Sequence, residues 1–552
     1  MQPLSLYKHT PASTLLSKLE PYRKPVVFLF FFSVLLLGIF IHRDYGVSAD
    51  ERISRVNAAV TAKYLLTRFA PAKAAADTSL KYIPELHTWK DRDYGIAFEI
   101  PVFLLEKVLR LKDLRDIHFL HHLCIFLMFW VSLLFFYLLV KERYQSWPFA
   151  LLATVFLLLS PRIFADAFYN SKDLVFMSFF IIGLYTMIKF LKEPDWRWAL
   201  FHALACAVLI NVRIMGVVVP LATVAVFAFD WLKNHRKQPL KKAGLVLGLY
   251  VVLLFAFIVL LWPFLWEAPL TNFVFAFKNM SKFRWDGVVL FAGRLVKAPA
   301  LPWYYGPFYI AITTPLTYTV FFLLGLFFTI RTVIHCRFNL YNNEAEKQDL
   351  LFLAFFLLPL GAIIVLKSVL YDGWRHLYFV YPAFLLVALR GLAGVYERTK
   401  QLGSQLVVYA LAAVVGISLI STAVFMVNAH PYQHVYFSLL PAKTVEKNFE
   451  RDYWGLSFKE MIDYVLKHDT GSKVYLHIEN PWSEQNGEVF RKEDRDRIQW
   501  IYGDDPAGVQ AAPGPVYFLT SYRAHPQPYL HTQEIYSRRV SGVKVFSVFR
   551  ER

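Results

Sequence analysis

The chain has 552 residues, of which 57% are hydrophobic and 17% are aromatic, more than a single soluble core requires. Its formal net charge of +18 is spread through short segments between apolar runs and forms no basic domain or RNA-binding signature. These features exclude nucleic acid as the expected partner and favour membrane lipids and anionic phosphate groups.

Eleven apolar runs approach the roughly 20 residues that a helix needs to cross the hydrocarbon of a bilayer. They lie near residues 25–41, 118–140, 147–162, 174–191, 198–212, 214–232, 243–265, 310–333, 350–367, 377–396 and 405–428. The pair between 198 and 232 is divided at Asn211-Val212-Arg213, which favours helices broken at a polar turn. The sequence therefore predicts a polytopic α-helical membrane protein with about eleven transmembrane helices.

Basic residues concentrate before the first run and in alternate short loops, which predicts a cytoplasmic N-terminus. They are Lys8, Lys18, Arg23, Lys24, Lys141, Arg143, Lys233, Arg236, Lys237, Lys241, Lys242, Arg331, Arg337, Arg398 and Lys400. An odd number of spans then places three segments outside the cytoplasm: a large first loop (about 42–117), a loop of about 266–309, and everything after about 429.

The composition changes at His430, where charged residues become frequent. Residues 458–467 have the pattern of a helix, and residues 474–478, 516–519 and 543–549 have the pattern of strands. We therefore predict a transmembrane domain over residues 1–429 and a small extracytoplasmic α/β domain over residues 430–552.

Asp50 and Glu51 lie a few residues beyond the first apolar run, at the start of the first outer loop. A carboxylate held by neighbouring charge can take the proton from a hydroxyl that attacks a sugar's anomeric carbon. Asp50 is the candidate base, with Glu51 as the second catalytic candidate. The alternative is that both acids begin an interfacial helix, where they favour the positive end of the helix dipole.

The same loop contains a second charged and aromatic stretch, DRDYGIAFE at residues 91–99. Aromatic rings beside Asp91 and Asp93 suit a sugar-containing acceptor, although a solvated turn also explains the pattern.

The turn at residues 160–173 places two cations and two carboxylates between short apolar runs. Ionisable residues at such a depth usually have partners or functions. Arg162 and Lys172 are candidates to bind phosphate, and Asp166 or Asp173 to hold the acceptor, or a metal together with Asp50. The alternative is a set of ion pairs that closes the turn.

Further cations are predicted on the same face of the membrane: Arg213 in the broken pair, and Arg375 and His376 before the tenth run. A lipid phosphate gains negative charge as its sugar departs, and arginine binds phosphate in a forked geometry. These three residues are therefore candidate donor-phosphate ligands. For any single arginine, contact with lipid headgroups is the alternative.

Taken together, several stretches resemble the glycosyltransferase C superfamily, specifically the protein O-mannosyltransferase and aminoarabinose-transferase group of family 39, in a bacterial subgroup. They are the Asp50-Glu51 pair, DRDYGIAFE, SPRIFADAFYNSKD, LPWYYGPFYI, YDGWRHLYFVYP and the segment HPYQHVYFSLLPAKTVEKNFERDYWGLSFKE. In that family the first-loop acid is usually assigned as catalytic base, which implies this role for Asp50.

The resemblance also implies a glycosyltransferase C fold and a polyprenyl-phosphate-linked sugar donor, with inversion at the anomeric carbon. Some relatives bind a divalent metal between loop acids, here Asp50 with Asp166 or Asp173, and others need none. The family's acidic pair often follows His-Pro, whereas this chain has Ser48-Ala49. The WWDYG signature of oligosaccharyltransferases is absent from the sequence, which disfavours transfer of a whole oligosaccharide.

The predicted activity is thus a hexosyl or pentosyl transfer, in which a single sugar moves to a hydroxyl of a glycan, lipid or protein acceptor. The expected location is the extracytoplasmic face of a bacterial inner membrane. Two other classes remain as alternatives: a lipid-linked glycan flippase or polymerase, and a secondary transporter, which would usually contain paired repeats.

Overall fold

The computed structural model describes residues 20–233, 240–281, 283–530 and 533–551. Within these residues, nine helices are long and apolar enough to cross a membrane: Glu20–Ile41, Leu114–Tyr144, Asp173–Lys192, Ile214–Lys233, Gly244–Leu261, Leu316–Cys336, Glu344–Val365, Arg375–Gln401 and Gln405–Ala429. Two shorter apolar helices are Trp147–Leu158 and Trp196–Val212. The chain is therefore a multi-pass membrane protein.

All eleven predicted apolar runs correspond to helices, but two of those helices are shorter than a full crossing. The predicted number of eleven crossings is therefore not confirmed. Lys8, Lys18, Arg236 and Lys237, which contributed to the predicted orientation, lie outside the described residues.

The predicted break between the fifth and sixth runs is present at Arg213, whose extended backbone (φ −148°, ψ 129°) ends helix Trp196–Val212. The Asn211 side-chain amide donates to the Leu261 carbonyl at 2.9 Å, and its oxygen accepts from the Ala97 backbone N–H at 2.7 Å. Polar groups within the protein thus satisfy the break, as a non-helical segment at this depth requires.

Helix Tyr381–Gln401 lies in the core and packs closely against helix Leu316–Cys336. Two glycines allow this approach: a Cβ on Gly325 would lie 1.8 Å from the Val387 carbonyl oxygen, and one on Gly391 would lie 2.0 Å from that of Phe321. Small residues of this kind let helix backbones meet in membranes. The packing fixes the helix that follows the turn carrying Arg375.

The loops that the sequence predicts to lie outside the cytoplasm contain their own secondary structure. The first loop has helices Glu51–Phe69, Pro71–Ala76 and Glu99–Val108. The loop near residues 266–309 has helix Pro269–Ser281 and an antiparallel hairpin of strands Val288–Phe291 and Arg294–Lys297. Further short helices are Pro161–Asp166, Tyr305–Thr313 and Ala442–Asn448.

The C-terminal part forms a five-stranded sheet with helix Phe458–His468 packed against it. The strand order is Ile498–Tyr502, Val474–Ile478, Val516–Thr520, Val543–Arg550 and Glu534–Val540. The first three strands are parallel and the last two run antiparallel to their neighbours. The predicted helix and three predicted strands are present, whereas strands Ile498–Tyr502 and Glu534–Val540 were not predicted.

Candidate functional site

Asp50 immediately precedes helix Glu51–Phe69, and its side chain is 33% exposed. Its Oδ2 accepts from the Arg375 guanidinium at 3.1 Å. Burial alone would raise the pKa of Asp50, but the charges of Lys172 and Arg375 outweigh burial and the pKa is lowered. Asp50 is therefore an ionised, partly accessible carboxylate bound to a cation.

Arg375 joins two of the predicted acids. Its Nη1 lies 3.1 Å from Asp50 Oδ2 and 3.1 Å from Asp173 Oδ2. Asp173 also forms an ion pair with Arg213. The predicted convergence of Arg213 and Arg375 is thus present, but the two cations meet on a shared carboxylate.

The charge cluster continues through a residue that the sequence analysis did not select. Asp372 Oδ2 lies 3.5 Å from Arg375 Nη2, and its Oδ1 lies 2.9 Å from Arg523 Nη2 in the C-terminal part of the chain. The Arg375 guanidinium also lies over the Trp454 ring, 4.5 Å from its centroid. Asp372 stands within the quoted YDGWRH motif and Trp454 within the quoted segment of residues 430–460, although neither was selected as a site residue. No sequence signal connected Arg523 to the site.

Lys172 borders a polar cavity of about 20 Å³, and its ammonium group lies 4.7 Å from the Tyr94 ring centroid. Glu99 faces this cavity with its side chain buried. Burial is the main cause that raises the pKa of Glu99, to about 7. The other polar side chains at the cavity are Ser54, Asn57 and Ser171.

Glu51 is buried at the start of its helix and has other partners than Asp50. One oxygen accepts from the Ser48 backbone N–H at 2.7 Å, and the carboxylate contacts His118 and His122 at 3.1 and 3.2 Å. Burial would raise the pKa of Glu51, but the two histidines lower it to about 2. This geometry matches the alternative in which Glu51 begins a helix.

Asp166 does not join the cluster around Arg375. Its carboxylate accepts from four neutral groups at 2.9 to 3.3 Å: the side chains of Tyr169, Asn170, Tyr378 and Trp454. Burial is the main cause that raises its pKa, to about 6. Of the two candidates for a second acid, Asp173 is therefore the one that lies beside Asp50.

Arg162 and His376 are held by aromatic neighbours. The buried Arg162 guanidinium donates to the Tyr436 carbonyl at 3.3 Å and lies 4.8 Å from the Phe437 ring centroid. The His376 ring packs against Tyr371 at 4.6 Å between centroids.

The DRDYG stretch forms a turn that packs against the break at Arg213. Asp93 pairs with Arg284 at 3.2 Å, and the Asp91 carbonyl accepts from the Tyr94 N–H at 3.1 Å. A Cβ on Gly95 would lie 1.7 Å from the Asn211 carbonyl oxygen, so this close approach requires glycine. Asp91 and Asp93 thus lie in the turn and away from the cavity lining, which Tyr94 and Gly95 of this stretch join.

The proposed metal pair does not have the arrangement of a metal site. A guanidinium nitrogen of Arg375 bridges Asp50 and Asp173, and in the described part of the chain no group of three His, Cys, Asp or Glu side chains is placed to hold a metal ion. Arg375 Nη1 therefore occupies the position between the two carboxylates that a bridging cation would need.

An apolar groove of about 360 Å³ runs beside the cluster. It is lined by residues 298–303 and 305–307 and by Leu360, Ile363, Ile364, Lys367, Ser368 and Leu370. Tyr305 lies at this groove, and its hydroxyl accepts from the backbone N–H of Gly373, next to Asp372, at 3.1 Å. The groove thus adjoins the loop that carries the charged residues.

The fold and the site together define a polytopic membrane protein with a charged centre beside an apolar groove and a docked C-terminal sheet. Residues 116–262, less than half of the chain, match the family described as dolichyl-phosphate-mannose-protein mannosyltransferase. The comparison with curated proteins found no match.

Three solved structures show similarity to this chain. The oligosaccharyltransferase of Archaeoglobus fulgidus has a TM-score of 0.50 at 10% identity, covering 89% of this chain and 69% of that one. ArnT from Cupriavidus metallidurans bound to undecaprenyl phosphate has a TM-score of 0.49 at 12% identity, covering 95% and 98%. The mycobacterial arabinofuranosyltransferase AftD has a TM-score of 0.43 at 12% identity, covering 94% and 40%. The family match over residues 116–262 and the fold shared with the oligosaccharyltransferase support the resemblance stated from the motifs.

Proposed function

We propose that this protein is an inverting glycosyltransferase that moves one sugar from a polyprenyl phosphate to an acceptor hydroxyl. The observation that carries the proposal is the contact between Asp50, an accessible ionised carboxylate, and Arg375, at a site next to an apolar groove. The matched family is named for a dolichyl-phosphate-linked mannose donor, which supports a lipid-phosphate donor here.

In the proposed reaction, the acceptor oxygen attacks the anomeric carbon and its proton passes to the Asp50 carboxylate. The bond between the anomeric carbon and the phosphate oxygen breaks, and the electron pair leaves with the polyprenyl phosphate. Arg213 and Arg375 stabilise the charge that the phosphate gains, together with Arg162, Lys172 or His376. Asp173 holds the two arginines in place for this task.

The incoming phosphate competes with Asp50 for Arg375. Free of substrate, Arg375 and Lys172 keep the pKa of Asp50 low, although burial opposes them, and a carboxylate of low pKa is a weak base. Once Arg375 binds phosphate, Asp50 loses part of this stabilisation and becomes more basic. Donor binding thereby prepares the base for the acceptor.

The apolar groove is proposed to hold the lipid chain of the donor. Its aliphatic wall and its position beside Tyr305 and Gly373 suit a chain whose phosphate ends at Arg375. We place the site outside the cytoplasm, in a bacterial inner membrane, with a cytoplasmic N-terminus and an extracytoplasmic C-terminus. The acceptor is a glycan, lipid or protein hydroxyl.

A transfer assay tests the activity. Purified protein is incubated with radiolabelled polyprenyl-phosphate sugars and with glycan, lipid and protein fractions from cells that lack the gene. We expect label in an acceptor and an equal amount of released polyprenyl phosphate. Label that crosses a vesicle membrane while still attached to its lipid would instead identify a flippase, and label on no acceptor would contradict the proposal.

A further inference from the structure

Arg523 reaches from the C-terminal sheet into the transmembrane part of the chain. It follows strand Val516–Thr520, and its guanidinium donates to the Tyr453 carbonyl at 2.6 Å and to Asp372 Oδ1 at 2.9 Å. The Trp482 ring lies 5.3 Å below it. Two hydrogen-bond acceptors and an aromatic ring thus fix one guanidinium, which is the geometry that distinguishes arginine from lysine.

The loop that carries Arg523 has an unusual backbone. Its two neighbours, Tyr522 and Ala524, have positive φ angles of 57° and 51°. Residues with a Cβ seldom adopt this region, and such conformations persist where the surroundings enforce them. Buried Glu450 enforces this backbone conformation, because its carboxylate accepts from the Ala524 N–H at 3.1 Å and from the Leu290 N–H at 2.8 Å.

Asp372 connects this loop to the charge cluster. Its carboxylate is buried and lies between Arg523 and Arg375, with one oxygen facing each. Arg375 in turn contacts Asp50 and Asp173. Without Arg523, Asp372 would keep Arg375 as its nearby cation and would draw it away from Asp50, because a buried carboxylate requires a positive partner.

We propose that Arg523 is a positioning residue that orients Arg375 through Asp372, so that the C-terminal sheet is a working part of the donor-phosphate site. This inference rests on the proposed function, because it assumes that Arg375 binds the donor phosphate. Arg523 itself touches neither donor nor acceptor in this proposal.

The test measures the binding of undecaprenyl phosphate to purified full-length protein in nanodiscs. We expect Arg523→Ala to weaken binding about tenfold, a coupling typical of residues within one charge network. The substitution Arg523→Gln removes the charge but keeps a polar side chain with one amide donor, so it gives the same test with less loss of packing than alanine. In an Asp372→Ala background, either substitution should have no further effect.

Arg495→Ala is the matched control. Arg495 also joins the C-terminal part to the transmembrane part, through Asp113 at 2.7 Å, but it does not contact the charge cluster. We expect this variant to bind undecaprenyl phosphate as the wild type does.

The outcomes separate the two proposals. Wild-type protein that does not bind the lipid phosphate would contradict the proposed function. If the wild-type protein binds the lipid phosphate and Arg523→Gln binds it with the same affinity, only the positioning role would be overturned. Equal losses of affinity in Arg495→Ala and Arg523→Ala would also overturn it, because Arg523 would then act by docking the C-terminal part in general. The same holds if Arg523→Ala lowers the affinity of the Asp372→Ala variant as much as that of the wild type, because Arg523 would then not act through Asp372.

Discussion

Asp50 and Glu51 are neighbours in the chain with different partners, so conservative substitutions separate their roles. Asp50→Asn keeps the shape but cannot accept a proton, and turnover at saturating donor should fall about 100-fold or more. Undecaprenyl phosphate should bind at least as tightly, because Arg375 loses a competing carboxylate. Transfer rate, lipid-phosphate affinity and thermal unfolding of each variant are measured together.

Glu51→Gln is the comparison variant. It weakens the contacts with His118 and His122, so we expect a loss of about 1.5 to 3 kcal/mol in the free energy of unfolding and a smaller loss of turnover. Near-normal turnover in Asp50→Asn with donor saturated would refute the base assignment, and Asp173 would become the next residue to test.

Glu99 predicts a pH dependence of stability. Its folded pKa is about 7 because of burial, above its usual 4.5, so the folded state binds the proton more tightly than the unfolded state. The contribution of protonated Glu99 to the free energy of unfolding is complete below about pH 4.5 and is lost as the pH rises towards 7. Glu99→Gln should therefore be more stable than wild type at pH 8, by up to about 3 kcal/mol, and no more stable at pH 4.

Thermal unfolding of both proteins between pH 4 and pH 8 checks this expectation. Glu85→Gln is the control, because Glu85 lies in the same loop with its side chain 67% exposed. If the stability of the wild type and that of Glu99→Gln change with pH in the same way, the pKa of Glu99 is not raised in the folded state.

At the level of helices and strands, the local sequence pattern was sufficient to predict an element where the whole element lies in one environment, such as lipid or the protein core. Each apolar run became a helix because lipid and core both require internally bonded backbone. Strands Ile498–Tyr502 and Glu534–Val540 were not predicted, and each has a physical reason. The first follows a highly charged segment, and the second carries Glu534, Arg538 and Arg539 on an edge strand, where burial imposes little pattern.

The apolar groove gives a prediction for helix Glu344–Val365. Ile364 lines the groove, so Ile364→Trp should fill part of it and hinder a long lipid chain. We expect the KM for a long-chain polyprenyl-phosphate sugar to rise about tenfold, as for the loss of one or two buried methylenes, with little change for a short-chain donor.

Val365→Trp is the matched control, because Val365 is the next residue, is 79% exposed and does not line the groove. Equal changes of KM for long-chain and short-chain donors in Ile364→Trp would show that the lipid chain lies elsewhere.

On the scale of the whole molecule, the sequence predicted which residues lie at the site better than it predicted which of them contact each other. Asp50 was selected as a carboxylate that can act as a base, and Asp173 because an ionisable residue between apolar runs usually has a partner or a function. Arg213 and Arg375 were selected because arginine suits phosphate. Their arrangement around one guanidinium depends on how distant segments pack, and the Arg523–Asp372 pair spans 151 residues of sequence. No local pattern encodes such a contact, so the role of the C-terminal part became visible only in the fold.

The same contact sharpens the prediction of topology. Because Arg523 pairs with Asp372, the C-terminal sheet and the charged cluster must lie on one side of the membrane. The basic short loops predict that this side is extracytoplasmic. Single cysteines at Leu530, which is 98% exposed, and at Leu402, which is 73% exposed just beyond helix Tyr381–Gln401, report the two sides in a background without Cys124, Cys206 and Cys336.

In intact cells or spheroplasts, a membrane-impermeant maleimide should label Leu530→Cys and should leave Leu402→Cys unlabelled until the membrane is opened. Helix Tyr381–Gln401 starts beside Arg375, so Leu402 lies at its opposite end, and a crossing helix separates the two probes. The reverse labelling pattern would place Asp50 and the arginines in the cytoplasm, where the donor and acceptor would have to be sought instead. Labelling of both cysteines in intact cells would mean that helix Tyr381–Gln401 does not cross the membrane.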